Sequence, residues 1–199
     1  MFFRNDTDNN NFTGRFINNS AFGLLDPVNG NGGAITFKGV SSNSMFTCDF
    51  INNTAVRTGG GVNYRETPHN ITFNCSFINN TAEYGGGVNF FESMDNVVFN
   101  TSEFVGNSAY YGGAIAFKNG FVENATFIAN TAVQHGGAIY VGGPISDCRF
   151  NATFIDNAAY RGGAIFFNNE TDNIIINGYF EGNVAERIGG ALCFQNKNR

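Results

Sequence analysis

Residues 77–90 read FINNTAEYGGGVNF. The stretch carries almost no reactive chemistry, yet it returns along the whole chain with small edits. An F-x-x-N phrase begins at Phe16, Phe50, Phe77, Phe104, Phe127, Phe154 and Phe180, and ends on Asn19, Asn53, Asn80, Asn107, Asn130, Asn157 and Asn183. An alanine follows two residues after each of these asparagines, and then Gly-Gly-(Ala/Gly)-(Ile/Val/Leu), starting at Gly32, Gly59, Gly85, Gly112, Gly136, Gly162 and Gly189. Steps of 34, 27, 27, 23, 27 and 26 residues between the phenylalanines define a period in the mid-twenties, the mark of a solenoid.

The local pattern selects the kind of solenoid. Counting back from each phenylalanine, position −2 is always small: Gly14, Cys48, Cys75, Ser102, Ala125, Ala152 and Gly178. Position −4 reads Phe12, Phe46, Phe73, Asn100, Glu123, Phe150 and Ile176, and is expected to form the large inward column. After the glycines, Ile35, Val62, Val88, Ile115, Ile139, Ile165 and Leu192 share a face with Phe37, Tyr64, Phe90, Phe117, Val141, Phe167 and Phe194. This alternation has a period of two, and no stretch sustains a helical one. The expected fold is all-β, a parallel β-helix of about seven coils forming a single domain over residues 1–199. In it the phenylalanines stack as rings, the inward asparagines satisfy backbone groups at a bend and one another along the axis, and the glycine pairs permit positive φ and close coil contact.

Composition bounds the function. The chain of 199 residues holds 11 Lys and Arg against 16 Asp and Glu, for a net charge of −5. Its basic residues are scattered in sequence, so no nucleic-acid partner is expected. No apolar run approaches the roughly 18 residues of a membrane span, so direct membrane insertion is not expected either. The opening MFFRNDTDNNNF lacks the apolar core of a signal peptide, so either the protein is not exported or this chain is a piece of a longer exported one.

The pairing of the two motifs, as in FVGNSAYYGGAI and FIANTAVQHGGAI, resembles the repeats of the chlamydial polymorphic outer membrane proteins. The Asn/Thr-rich variant, FINNTA followed by GGGV, is similar to the adhesin-like surface proteins of methanogenic archaea. The resemblance covers all seven repeats. It implies a right-handed β-helix displayed at the cell surface or outside the cell, adhesive rather than catalytic.

Parallel β-helices also carry polysaccharide lyases and glycoside hydrolases, which remain the enzymatic alternative. Such sites need carboxylates recurring in one column of adjacent coils. Glu83, Asp156, Glu170, Asp172 and Glu186 fall at different repeat positions. No metal site or cofactor is expected, since the four cysteines have no C-x-x-C spacing and calcium-roll repeats are absent. Cys48 and Cys75 occupy one repeat position in neighbouring coils, and read either as a disulfide or as two small core residues. His69 and His135 read as solvated turn residues. Among the Asn-x-Ser/Thr sequons, Asn18, Asn52 and Asn79 precede ladder asparagines and should point outward, where a glycan could attach.

Variable positions on a repetitive scaffold are the natural place for a ligand. The turn before Gly-Gly ends on Asn31, Thr58, Tyr84, Tyr111, His135, Arg161 and Ile188, preceded by Gly30, Arg57, Glu83, Tyr110, Gln134, Tyr160 and Arg187. Arg57, Tyr84, Tyr110, Tyr111, His135, Tyr160, Arg161 and Arg187 form the candidate stripe for a cell-surface or glycan ligand. The alternative is a set of tyrosines that merely cover the coil below, on a structural stalk with no ligand. The first turn inserts FGLLDPVNGN, a candidate binding loop or end flap. Uncapped end coils would also permit end-to-end self-association.

Overall fold

The computed structural model describes residues 1–23 and 30–195, so most of the first-turn insertion lies outside the described residues. The described residues contain β-strands and no helix, and every paired strand runs parallel to its neighbour. One eight-stranded sheet orders the Gly-Gly strands, from Phe2–Phe3 through Val88–Phe90 to Leu192–Phe194. A second, eleven-stranded sheet collects the strands that run into F-x-x-N, and a four-stranded sheet stacks the turns from Ser108–Tyr111 to Val184–Ile188. The chain is a parallel β-solenoid, with six steps from the first F-x-x-N to the seventh.

Register follows the motif. Phe77 pairs with Phe50 and with Phe104, and Phe127 with Phe154. Along this column successive ring centroids lie 4.7–5.0 Å apart, with planes within 12° of parallel. That spacing is the strand separation itself, so each ring sits over its counterpart in the next coil. From Phe50 to Phe154 these side chains are fully buried.

The asparagine ladder is complete in its hydrogen bonding. Asn107 donates from Nδ2 to Phe77 O at 2.8 Å and to Asn130 Oδ1 at 3.0 Å. Its Oδ1 accepts from the backbone N–H and Nδ2 of Asn80, at 2.9 and 3.0 Å. The same pattern repeats at Asn53, Asn80, Asn130 and Asn157, which are 0% exposed. It begins at Asn19 and reaches Asn183. Each of the five buried amides thereby uses both donors and both acceptor positions, as burial of a polar group requires.

The glycine pair divides its labour. The first has φ near +60° in every repeat. The second needs the space: a Cβ on Gly60 would meet Gly86 O at 2.2 Å, and one on Gly113 would meet Gly137 O at 2.1 Å. Asn18, Asn52 and Asn79 are exposed at φ 57°, 53° and 53°, so the left-handed residue of this bend directly precedes the ladder asparagine and points outward as expected.

One expectation about the core is corrected. Asn100 and Glu123 do not occupy the large inward column. Phe99 pairs with Phe73, and Val122 with Phe150, and both are fully buried while Asn100 is exposed. Each of these two coils carries one extra residue before the small column, marked by positive φ at Thr101 and Asn124. The alternation therefore skips a step, and the apolar residue one place earlier takes the slot.

Candidate functional site

The turn stripe forms in register. Asn31, Thr58, Tyr84 and Tyr111 pair in sequence across four coils, and Tyr111, His135, Arg161 and Ile188 continue the column. It is not a free-standing edge, however. The middle residue of each Gly-Gly strand points out of the core, and these residues form a neighbouring column: Thr36, Asn63, Asn89, Ala116, Tyr140 and Phe166. The turn folds back over them. Thr36 Oγ1 donates to Asn31 O at 2.7 Å, and Thr58 Oγ1 to Asn31 Oδ1 at 2.7 Å.

Further along, the two columns meet as aromatic rings. Tyr84 stacks on Tyr111 at 4.9 Å, Tyr111 lies 5.1 Å from Tyr140, and His135 stacks on Phe166 at 4.2 Å with planes 10° apart. His135 is thus half-buried in an aromatic cluster, not a solvated turn residue, because Phe166 gives its ring a flat surface to cover. His69, by contrast, is on the opposite sheet, with Nδ1 2.6 Å from the Asp95 carboxylate. Tyr110 and Arg187 are exposed, whereas Arg57, Tyr160 and Arg161 are half-buried. The Arg161 guanidinium carbon lies 5.9 Å from the Tyr160 ring centroid, and Nη1 donates to Gln195 Oε1 at 3.0 Å.

Burial sets the protonation of this cluster. It raises the phenols of Tyr84 and Tyr111 above their ordinary value and pushes Tyr140 up to about 12. Burial, assisted by the Arg161 charge, lowers His135. At neutral pH the three phenols are intact hydroxyls and the imidazole is uncharged.

A cleft of about 290 Å³ opens between the stripe and the outward column, lined by Arg57, Tyr84, Asn89, Phe91, Lys118 and Tyr140 among others. Its outer wall was missed in the sequence. Phe91 is 53% exposed, and the Lys118 ammonium lies 4.9 Å from its ring centroid while pairing with Glu92 at 2.8 Å. The signal available was the position after each Gly-Gly strand, which the alternation turns outward beside the stripe.

Cys48 and Cys75 stack in adjacent coils as free thiols. Cys48 Sγ donates to Phe12 O at 3.3 Å, and Cys75 Sγ to Phe46 O at 3.4 Å. Burial raises the Cys75 thiol, which keeps it protonated as a small core residue. Cys148 and Cys193 are likewise free and buried. Among the described residues, no three His, Cys, Asp or Glu side chains come together in metal-binding reach.

Compared with family models, curated proteins and solved structures, the chain matches none.

Proposed function

We propose that this solenoid is a non-catalytic binding scaffold of the adhesin-like kind, displayed at the cell surface or outside the cell, with its ligand seated along the groove beside the turn stripe. The observation that supports this reading is the in-register aromatic stripe packed on a second outward column, with an open cleft between them. Stacked Asn and Phe columns need no such surface, and Phe91 stands 53% exposed in the same cleft as Tyr84 and Tyr140. Flat aromatic faces with phenol hydroxyls and amides at their edges suit sugar rings, which present C–H faces and hydroxyl rims. The motif resemblance to surface-displayed β-helix repeats points the same way.

The test is an array of glycans and cell-surface polymers probed with the labelled chain and with a Tyr84→Ala/Tyr111→Ala/Tyr140→Ala variant whose β-sheet content is checked by circular dichroism. Specific binding by the parent, lost in a folded variant, is the expected outcome. Binding by neither protein would leave a structural stalk, the reading the uninterrupted Asn ladder supports by itself. Depolymerisation of a bound polysaccharide would favour the enzymatic alternative.

A further inference from the structure

Scattered in sequence, the cations are gathered in space. Nine lysines and arginines lie among the described residues, and all but Arg15 and Arg149 stand on the groove side of the solenoid, in the turn stripe or in the column that follows the Gly-Gly strands. Those two exceptions belong to the opposite sheet and are paired there, Arg15 with Asp49 at 3.3 Å and Arg149 with Glu123 at 3.8 Å. The reading of basic residues as scattered therefore holds for the sequence and fails for the surface. A protein of net charge −5 thus gathers seven of its described cations on one side, where Glu66, Glu83, Glu92 and Glu186 also lie.

The arrangement on that face is regular. Phe3 pairs with Phe37 and Phe37 with Tyr64, so the next residues, Arg4, Lys38 and Arg65, follow one another at the coil spacing. The backbone continues this register, with Lys38 N–H donating to Phe3 O and Arg65 N–H to Phe37 O. Phe91 and Lys118 extend the same row. Among the described residues Arg4, Lys38 and Arg65 form no ion pair, whereas Lys118 is neutralised by Glu92. Glu66 and Glu83 are the other acids near the row's middle, and neither closes on these three cations.

Three clefts join along this row. One of about 490 Å³ is lined by Arg4, Lys38, Arg65, Asn31 and Thr36; a connecting one of about 170 Å³ by Asn31, Asn63, Arg65 and Phe91; the third is the aromatic cleft described above. Asn31 and Arg65 border the first two, and Phe91 the last two, so the clefts adjoin one another across successive coils. On its floor Asn63 is 1% exposed, and its Nδ2 has no hydrogen-bond partner. A buried amide donor left open is costly unless something accepts from it.

Resting on the binding reading above, we infer that the ligand of this groove is an acidic polysaccharide, bearing carboxylate or sulfate on successive sugars. Backbone positions that repeat about every 4.8 Å along the coil axis and each carry a cation suit a polymer with one anion per sugar better than an isolated phosphate or a neutral chain. Arg4, Lys38 and Arg65 would hold the anions, Phe91, Tyr84 and Tyr140 would stack on ring faces, and Asn63 would donate to an anion or hydroxyl.

The experiment measures binding of the 199-residue chain to polygalacturonate, heparin, neutral dextran and an oligothymidine by titration at two salt concentrations. Variants are Lys38→Glu/Arg65→Glu on the groove and Arg15→Glu/Arg149→Glu on the opposite sheet, each checked for unchanged circular dichroism. The acidic polysaccharides are expected to bind, more weakly at high salt, and to lose at least about tenfold in affinity with the groove pair only. Dextran binding that the tyrosine variant removes and the charge reversals leave intact would overturn the acidic ligand yet keep the binding scaffold. Equal losses in the two charge-reversal variants would show a nonspecific field and overturn the groove, as would stronger binding of the oligothymidine. Absence of binding to every probe would overturn the proposal.

Discussion

A buried asparagine has two donors and one oxygen to satisfy, and its place in a β-solenoid depends on whether the next coil can take part. Asn107 meets all of these needs within the stack: one hydrogen to Phe77 O, one to Asn130 Oδ1, and an oxygen that accepts twice from Asn80. Removing that side chain leaves groups on both neighbouring coils without a partner. Asn107→Ala is expected to cost about 3 kcal/mol or more, since each buried polar group left without a partner forfeits about 1–3 kcal/mol. Asn19, exposed and at the start of the ladder, has a smaller share, and Asn19→Ala should cost under about 1 kcal/mol. Urea unfolding of both variants checks the contrast. Equal losses would mean that the ladder's stabilisation is not set by burial. This part of the molecule was legible in the sequence, because an inward polar residue repeated at every coil has only its own copies and the backbone to bond with.

At the scale of the element, the Gly-Gly strand shows why legibility runs out. The inward residues around it could be read by alternation, since each one meets its own copy: Val62 on Val88, Phe167 on Phe194. The outward residues Tyr140 and Phe166 obey the same alternation but were not assigned, because what covers them belongs to a different element, the turn. In the fourth and fifth coils a single extra residue shifted the count, and the sequence gives no local sign of which residue leaves the ladder. The cationic row escaped notice for the same reason: its members are separated by a whole coil in sequence and by one strand spacing in space. Glycine requirements are more directional. A Cβ at Gly113 would press on Gly137 O and Thr131 O, at 2.1 and 2.5 Å, and both carbonyls belong to the adjacent coil's hydrogen-bonded backbone. Gly113→Ala must therefore separate two coils, at an expected cost of about 3 kcal/mol. Gly190 occupies the same motif position in the last coil, and its nearest neighbour would be Asn183 O at 3.4 Å. Gly190→Ala should shift stability by less than about 1 kcal/mol in a thermal melt. A comparable loss at both positions would show that conformational freedom, and not coil contact, is what the second glycine supplies.

For the whole molecule, the repeat that builds the stack also gives it a direction. Every amide-to-amide bond of the ladder donates toward the coil that follows, from Asn19 Nδ2 to Asn53 Oδ1 and finally from Asn157 Nδ2 to Asn183 Oδ1. The last coil thus presents Asn183 with Phe180 half-buried and Tyr179, Val184 and Phe194 exposed, and the first presents Asn19 with Phe16 half-buried and Phe2 and Ile17 exposed. These two faces are complementary in the same sense as any two neighbouring coils. Their contact is heterologous, so it does not close on itself as a two-fold dimer would. The 199-residue chain is therefore expected to associate head to tail, in a concentration-dependent series of elongated oligomers. Sedimentation velocity over a range of concentrations reads this out, with Val184→Lys/Phe180→Lys as the variant that places charge on one face only. The parent should sediment as a growing series and the variant as a monomer. Only one of the two faces need be charged, because a head-to-tail joint uses one of each. A parent that stays monomeric at all concentrations would show that stacking across a free face lacks the covalent tether that holds coils together within the chain. A parent that stops at dimers would point instead to a symmetric contact, and the turn stripe with its exposed Tyr110 would then be the surface to mutate next.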